Sequence, residues 1–316
     1  MSLVFIELAD GDIKKTSLEA VSYAAQLRGE VIALAIGHAS EDVLAKAGLA
    51  GAAKVLHVNN EKYAVANIQA YAQLIAEAMT HTSSDMLILA KSSLGDPVAA
   101  RVAIKTGASL ATNVTELPDT RGGFKVKQSI YTGKAFAIIE LTAATKVIAL
   151  KKNAAEIKTD GQLATVEVFS PTVDEAGFGV SVVKQEKATG DVLLPEADIV
   201  VSGGRGLKGP ENWGMIEELA KILGAATGCS KPVSDMDWRP HHEHVGQTGI
   251  KVAPSLYIAI GISGAIQHLA GVNSSKYILV INKDPEAPFF KAADYGIVGD
   301  AFEVVPKLIE ALKAAQ

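Results

Sequence analysis

The chain has 316 residues, of which 48% are hydrophobic and 21% charged, and its formal net charge is −5. Single hydrophobic cores stop growing near about 250–300 residues, so we expect two domains. The Lys and Arg residues are dispersed among acids, which excludes the basic patch of a nucleic-acid-binding protein. No apolar stretch approaches the roughly 18 residues of a membrane-spanning helix, so we expect no membrane insertion.

The start of the chain and its cysteine content indicate the compartment. The first residues lack the basic and apolar regions of a signal peptide and the Arg-rich pattern of an organellar presequence. The single cysteine, Cys229, has no partner for an internal disulfide. We expect a bacterial cytoplasmic protein, or a mitochondrial matrix protein if a presequence has been removed.

The first half of the chain alternates short β-branched runs with segments of helical periodicity. The predicted strands cover residues 3–8, 31–36, 54–58 and 86–90. The predicted helices cover residues 17–27, 41–47, 64–79 and 97–106. This alternation is typical of βαβ units and predicts a Rossmann-like or nucleotide-hydrolase-like domain with a parallel sheet.

The periodicity changes after Ser109. The strands predicted beyond this point cover residues 125–131, 135–141, 146–150 and 165–169. Thr132 and Gly133 lie between the first two, a pair typical of a hairpin turn. We therefore expect added antiparallel strands at the end of the first domain.

Residues 183–196 have the composition of a linker. They are charged, contain Gly190 and Pro195, and lack helical periodicity. We place the domain boundary near Thr189, which gives domains of residues 1–189 and 190–316.

The βα alternation resumes from residue 197. The predicted strands cover residues 198–201, 256–260, 277–281 and 296–298. The predicted helices cover residues 211–223, 264–270 and 304–313. The fold class is therefore α/β, with two domains that each contain a mostly parallel sheet flanked by helices, the second being doubly wound.

Glycines and polar side chains follow the strands of the second domain, where an open parallel sheet binds its ligands. The residues at these ends include Gly203, Gly204, Arg205, Gly261, Ser263, Gly264, Asn282 and Asp300. Glycines let backbone N–H groups approach an anion, and a helix beginning at Ser263 or Gly264 would add its positive end. These groups would form a cradle for a pyrophosphate, with Arg205 bound to a phosphate. Considered alone, each glycine cluster is explained equally well by a tight strand-to-helix turn.

A long polar loop is predicted at residues 228–249. Loops of this length inside compact domains are usually functional. Its hydroxyl and amide side chains are suited to contact a flat heterocycle rich in N–H and C=O groups, and a flavin ring has this character.

Several strings in the second domain are highly specific. They are VVSGGRGLKGPENW, VGQTG, LYIAIGISGAIQHLAGV, INKDPEAPFFKAADYGIVGD and VVPKLIEAL. Together they resemble the electron transfer flavoprotein α subunit over the whole second domain, whereas the first domain resembles it only in layout and in the string SLEA. The resemblance implies one FAD in the second domain and an electron carrier without catalytic residues or a metal, not a substrate-transforming enzyme.

The resemblance also implies partners. Residues 1–189 would pack on an electron transfer flavoprotein β subunit to form a heterodimer. The heterodimer would accept electrons from dehydrogenases, such as the acyl-CoA dehydrogenases of fatty acid β-oxidation, and pass them to a quinone oxidoreductase. AMP or a second FAD would lie in the β subunit, and a second FAD would make the protein electron-bifurcating. A flavin-dependent oxidoreductase and a non-catalytic nucleotide-binding assembly protein are the alternatives.

The resemblance assigns cofactor contacts residue by residue. The assigned residues are Arg205, Ser230, Lys231, Val245, Gly246, Gln247, Thr248, Ser263, Gly264, Ala265, Ile266, Gln267, His268, Asn282 and Asp300. Asn282 and Asp300 would contact the adenosine half, and His268 the pyrimidine end of the flavin. The family commonly has arginine where this chain has Lys231, and lysine lacks the planar guanidinium fork. Losing a charge-assisted bond of roughly 1.5–3 kcal/mol would lower the one-electron potential by about 60–130 mV.

Two features of the polar loop suggest metal binding or thiol reactivity, but each also has a simpler structural interpretation. His241, His242 and His244 could ligate a metal ion, but adjacent histidines after a proline are more often a solvated segment. Cys229 could be a redox thiol, but a single cysteine among glycines is usually a small buried hydrophobe. We favour the simpler interpretation for both.

Two charged or polar groups elsewhere also have two interpretations. Ser93, Asp96 and Arg101 follow a predicted strand and could form a remnant nucleotide site, but we favour a capped helix start. Arg205 could pair with Glu211 or cap a helix instead of binding a phosphate. The resemblance favours cofactor binding for Arg205, as the family's flavin-side arginine.

Overall fold

A computed structural model describes residues 1–27, 29–133, 135–174, 178–180, 182, 194–195 and 197–315. The chain separates into two compact units, Met1–Gln185 and Glu186–Gln316. The boundary predicted near Thr189 lies outside the described residues and stays a prediction. Within the described ranges, no helix is both long and apolar enough to cross a bilayer.

In its described residues, the N-terminal unit combines a nine-stranded sheet, a small hairpin and four α-helices. Its strands are β1 (Ser2–Ile6), β2 (Leu8–Ala9), β3 (Asp12–Ile13), β4 (Val31–Ile36), β5 (Lys54–Val58), β6 (Met86–Ala90), β7 (Ser109–Val114), β8 (Lys125–Ile130), β9 (Ala135–Glu140), β10 (Lys146–Leu150) and β11 (Thr165–Val168). Its helices are α1 (Lys15–Ala24), α2 (Glu41–Ala45), α3 (Ile68–His81) and α4 (Gly95–Thr106). The predicted alternation of strands and helices in this half is confirmed.

The large sheet has the strand order β11-β5-β4-β1-β6-β10-β7-β8-β9. Only the β7–β8 and β8–β9 pairs are antiparallel, so added antiparallel strands are confirmed for the β8–β9 hairpin. The same prediction is wrong for β10 and β11, which pair in parallel with β6, β7 and β5. β10 is apolar and buried from Val147 to Leu150, the pattern of a parallel strand covered on both faces.

Alternate side chains of the central strands feed two separate cores. Leu3 and Phe5 of β1 pack into the core under α3 and α4, whereas Val4 and Ile6 pack into the core under α1 and α2. Successive side chains of a strand point to opposite faces, so apolar residues are needed at every position. The N-terminal unit is thus a three-layer α/β/α structure.

The C-terminal unit contains one five-stranded sheet in the order β13-β12-β14-β15-β16, with every pair parallel. Its strands are β12 (Ile199–Gly203), β13 (Ala226–Cys229), β14 (Leu256–Ile260), β15 (Tyr277–Asn282) and β16 (Tyr295–Val298). Its helices are α5 (Gly214–Leu223), α6 (Lys231–Asp235), α7 (Ile266–Val272) and α8 (Ala301–Ala315). One core packs under α5 and α8 and the other includes Val272 of α7, so the doubly wound prediction is confirmed.

The C-terminal unit departs from the prediction at two places. The predicted loop at residues 228–249 contains the end of β13, all of α6 and a 3₁₀ turn at His241–Glu243. Helix α7 begins at Ile266 and not at Ser263 or Gly264. Gly264 has φ +82°, a left-handed conformation outside the α-helical region, so the helix starts only after this turn.

Candidate functional site

The C-terminal sheet reverses its strand order at β12. β13 lies on one side of β12 and β14 on the other, so the connections leave in opposite directions. In open α/β sheets the crevice beyond the carboxyl ends of such strands is the usual ligand site. A cavity of about 640 Å³ lies there, within the range of about 300–1,000 Å³ that holds small-molecule ligands.

The cavity wall brings together most of the residues assigned from the sequence. Those on the wall are Arg205, Ser230, Lys231, Val245, Gly246, Gln247, Thr248, Ser263, Ala265, Gln267, His268 and Asn282. Gly261, which the sequence placed at a strand end, also lines it. The wall further includes residues without an assigned cofactor contact: Gly206, Pro232, Asp235, His244, Ile262, Asp284 and Ala287. Gly206, Pro232, His244 and Ile262 adjoin an assigned residue along the chain, which is the signal that could have found them.

Gly264, Ile266 and Asp300 do not line the cavity. Gly264 forms the turn before α7, and Ile266 opens that helix with 68% of its surface exposed. Asp300 precedes α8, where its Oδ1 accepts a hydrogen bond from the Phe302 N–H at 3.0 Å. Its carboxylate therefore satisfies a free N–H of the first helical turn. The contacts of these residues to a cofactor stay a prediction.

Three glycines let the ends of β12 and β14 approach closely. The Gly206 N–H donates to the Gly261 carbonyl at 3.0 Å. A Cβ added to Gly204 would lie 2.2 Å from the Gly261 carbonyl oxygen, and one added to Gly206 would lie 2.8 Å from Gly261 Cα. Side chains at these positions would separate the two strand ends, so the glycines keep this part of the wall as bare backbone.

Two cationic side chains on the wall differ in their partners. Lys231 Nζ lies 2.9 Å from Asp235 Oδ1, an i,i+4 pair on α6 whose two side chains are about half exposed. The Arg205 side chain forms no hydrogen bond or ion pair with another described residue, so the alternative pairing with Glu211 is not observed in that part of the chain. Its guanidinium is therefore available to an anionic ligand, whereas the Lys231 charge is partly offset.

The segment around Gln247 is tied to α7 and β13 by its backbone. The Gln247 N–H donates to the Gln267 carbonyl at 2.7 Å, and the Val245 N–H donates to the Cys229 carbonyl at 2.9 Å. The Cβ of a residue at Gly271 would lie 2.6 Å from Gly246 Cα. These contacts place the exposed side chains of Gln247 and Thr248 at the cavity mouth.

His268 lies in a buried aromatic group. Its Nε2 is 2.9 Å from the Tyr257 hydroxyl, and its ring packs edge-on against Phe289 with centroids 5.6 Å apart. Burial lowers the pKa of His268 to about 4. At neutral pH, His268 thus contributes a neutral imidazole to the wall, and its positive charge is absent.

The histidine segment divides between solvent and cavity. His241 and His242 are exposed, as expected for a solvated segment, but His244 is only 2% exposed and lines the cavity. The solvated interpretation is therefore wrong for His244, which follows the 3₁₀ turn His241–Glu243 and lies against the cavity. Among the described residues, no group of three His, Cys, Asp or Glu side chains is arranged to hold a metal ion.

Cys229 at the end of β13 is fully buried in the core under α5 and α8. Burial raises the pKa of its thiol to about 12, so the thiol stays protonated. The prediction of a small buried hydrophobe is confirmed.

In the N-terminal unit, the residues between β6 and α4 form the start of a capped helix. The Ser92 hydroxyl accepts hydrogen bonds from the N–H groups of Leu94 and Gly95 at 3.2 and 2.7 Å, and donates to the Glu7 carboxylate. Asp96 pairs with Lys91 at 3.0 Å. The helix-start interpretation holds: the Ser92 hydroxyl satisfies two N–H groups at the start of α4, and the N-cap residue itself is Leu94.

The fold and the site together define a doubly wound α/β protein with a ligand cavity at its topological switch point. Residues 2–175 match the family model described as "Electron transfer flavoprotein domain", and residues 193–273 match "Electron transfer flavoprotein FAD-binding domain". The chain belongs to the electron transfer flavoprotein α-subunit family, which confirms the resemblance seen in the sequence.

Curated relatives cover nearly the whole chain. The electron transfer flavoprotein subunit alpha of Syntrophomonas wolfei is 38% identical over 313 residues, covering 98% of each chain. That of Bacillus subtilis is 36% identical, covering 98% of this chain and 97% of its own. That of Pseudomonas aeruginosa is 38% identical, covering 98% and 99%. An electron-transfer role follows for this chain.

Proposed function

We propose that the C-terminal unit binds one FAD in the switch-point cavity and that the chain carries electrons as the α subunit of a heterodimer. The supporting observation is the cavity itself, whose wall gathers most of the residues assigned from the sequence at the carboxyl ends of β12, β13, β14 and β15. When bound, FAD supplies the redox chemistry and gains negative charge on reduction.

The residues present suit such a dinucleotide. Gly206 and Gly261 line the cavity without side chains, and Arg205 has no ion-pair partner among the described residues. Bare backbone and a guanidinium are the groups that bind phosphates, so we assign this wall to the pyrophosphate. Asn282 supports the same region: its Nδ2 donates to the Ile262 carbonyl at 3.0 Å.

The heterocycle would lie toward β13. Ser230, Gln247 and Thr248 supply hydroxyl and amide groups on that side of the cavity, and these groups match the N–H and C=O edge of a flavin. His268 offers a neutral imidazole held by Tyr257. The other sequence-based contacts remain our assignment for the bound cofactor, including those of Gly264, Ile266 and Asp300, whereas Arg205 is reassigned from the flavin side to the pyrophosphate.

The partners follow from the family. The relatives are named as alpha subunits, which supports a β subunit as the stable partner of residues 1–189. We infer that the heterodimer takes electrons from dehydrogenases and delivers them to a quinone oxidoreductase in the cytoplasm. AMP or a second FAD would occupy the β subunit. No substrate would be transformed by this chain itself.

The decisive measurement is the flavin content of the heterodimer. We expect that co-expression with the β subunit gives a yellow complex, from which extraction releases one FAD per heterodimer, with no substrate turnover by the complex alone. A complex without flavin contradicts the proposal. Two flavins would place a second FAD in the β subunit and indicate electron bifurcation.

The Lys231–Asp235 pair should tune the potential of the bound flavin. Because reduction adds negative charge, Lys231→Met removes a favourable cation and is expected to lower the midpoint potential. Asp235→Asn removes an opposing anion and is expected to raise it. Both side chains are half exposed, so we expect shifts of a few tens of millivolts, where 59 mV is a tenfold effect for one electron.

Spectroelectrochemical titration of the heterodimer measures both shifts. Lys307→Met is the matched control, because Lys307 is exposed on α8 and does not line the cavity. Shifts of the same sign for Lys231→Met and Asp235→Asn would contradict an electrostatic origin.

A further inference from the structure

His244 lies on the cavity wall but has no place among the cofactor contacts assigned so far. It follows the 3₁₀ turn His241–Glu243 and precedes Val245, with 2% of its surface exposed. Its ring is 5.6 Å from the His241 ring, measured between centroids. Lys231, Asp235 and His268 line the same cavity.

The backbone around His244 is held from both sides. The His244 carbonyl accepts a hydrogen bond from the Ile250 N–H at 2.7 Å, and the Val245 N–H donates to Cys229. The preceding turn is anchored by Arg239, whose Nε and Nη2 donate to the Glu243 carboxylate at 2.9 and 2.6 Å. A bidentate pair of this kind fixes geometry as well as charge. The His244 ring is therefore presented to the cavity by a rigid support.

The ring itself lacks a protein partner. Nδ1 is fully buried and makes no hydrogen bond within the described part of the chain. Nε2 is on the side of Gly246, another residue of the wall, where an added Cβ would lie 3.3 Å from it. Burial lowers the pKa of His244, so the ring is a neutral imidazole with one donor and one acceptor nitrogen. Nδ1 faces Gly249, where an added Cβ would lie 2.7 Å from it. Nε2 has no hydrogen-bond partner among the described residues either, so it is the ring nitrogen available to a ligand in the cavity.

We propose that His244 is a further cofactor-binding residue, whose Nε2 hydrogen-bonds the isoalloxazine–ribityl half of FAD. This inference rests on the proposed function of the cavity. Lys231, Gln247 and Thr248 line the same cavity, and Gln247 and Thr248 are among the residues that we assign to that half. A second neutral imidazole beside His268 thus frames the bound heterocycle.

The test compares two ligands on the flavin-free heterodimer. FAD affinity is measured by quenching of flavin fluorescence, and ADP, which has only the other half of the cofactor, is measured by competition. We expect His244→Leu to weaken FAD binding about 3- to 10-fold and to leave ADP binding unchanged, the range of one lost hydrogen bond. His244→Gln keeps a polar group near the position of Nε2 and is expected to restore most of the affinity.

His242→Leu is the control, because its side chain is exposed on the same turn and outside the cavity wall. Unchanged FAD affinity in His244→Leu, or equal losses for FAD and ADP, would overturn the inference. If wild-type heterodimer bound no FAD, the proposed function would fail instead, so the two failures are distinguishable. Retained ADP binding also shows that the variant is folded.

Discussion

Replacing Gly264 with alanine is expected to destabilise the C-terminal unit by about 2–5 kcal/mol and to weaken FAD binding with it. Gly264 has φ +82°, where a residue with a Cβ costs about 1–2 kcal/mol. The added Cβ would also lie 2.4 Å from Phe289 Cβ and 2.5 Å from its Cα. Such overpacking adds about 1–3 kcal/mol.

The backbone has little freedom to relieve this contact. The Phe289 N–H donates to the Ser263 carbonyl at 3.1 Å, and Phe289 is fully buried. Ser263 and Ala265, on either side of Gly264, both line the cavity. Displacement of Gly264 therefore moves two residues of the site, which is why cofactor affinity should fall together with stability.

Chemical denaturation and FAD titration of the variant measure the two effects. Gly214→Ala is the matched control, since Gly214 is the first residue of α5 and a Cβ there would meet nothing within 4 Å. We expect the control to be neutral or slightly stabilised, because alanine is the better helix former. Equal stabilities of the two variants would show that the turn tolerates a side chain.

The flavin-free protein is expected to lose about 3 kcal/mol of stability between pH 7 and pH 4 through His268 alone. Burial lowers the pKa of His268 to about 4 in the folded state, against about 6.5 for an unfolded chain. Between these values the unfolded state binds the proton and the folded state does not, so stability falls as the pH falls. Each pKa unit corresponds to about 1.36 kcal/mol.

His268→Gln isolates this contribution. Glutamine does not titrate and still offers a polar group to the Tyr257 hydroxyl, which is 2.9 Å from His268 Nε2. The wild-type protein should lose more stability than the variant between pH 6.5 and 4, as measured by denaturation at several pH values. His244, whose pKa is also lowered by burial, contributes in the same direction to both proteins. Parallel curves for wild type and variant would contradict the neutral, buried state of His268.

Much of the fold follows from local pattern. The strands β4, β5, β6, β10 and β14 begin and end at the predicted residues, because each is a short apolar run bounded by breaks in periodicity. The sequence pattern did not predict β7 and β13. β13 has the sequence ATGC, with small residues and no β-branched run beyond Thr227, and its extended form depends on parallel pairing with β12.

The chain order of strands is also insufficient to give their pairing. The strand β10 follows the β8–β9 hairpin in sequence yet lies between β6 and β7, in parallel with both. Periodicity reports which faces a strand buries but not which neighbours cover its edges. The position of β10 between β6 and β7 therefore depends on long-range packing.

By itself, the sequence determined the family, the two α/β domains and most of the cavity wall. The reason is geometric. The carboxyl ends of parallel strands lie at the same edge of the sheet, so the residues that follow each strand come together there regardless of loop conformation. The tertiary structure decided the rest. It buried His244 beside the exposed His242, paired Lys231 with Asp235, and assigned Asp300 to capping α8. These outcomes depend on how turns and short helices fold back over the strand ends, which local periodicity does not encode.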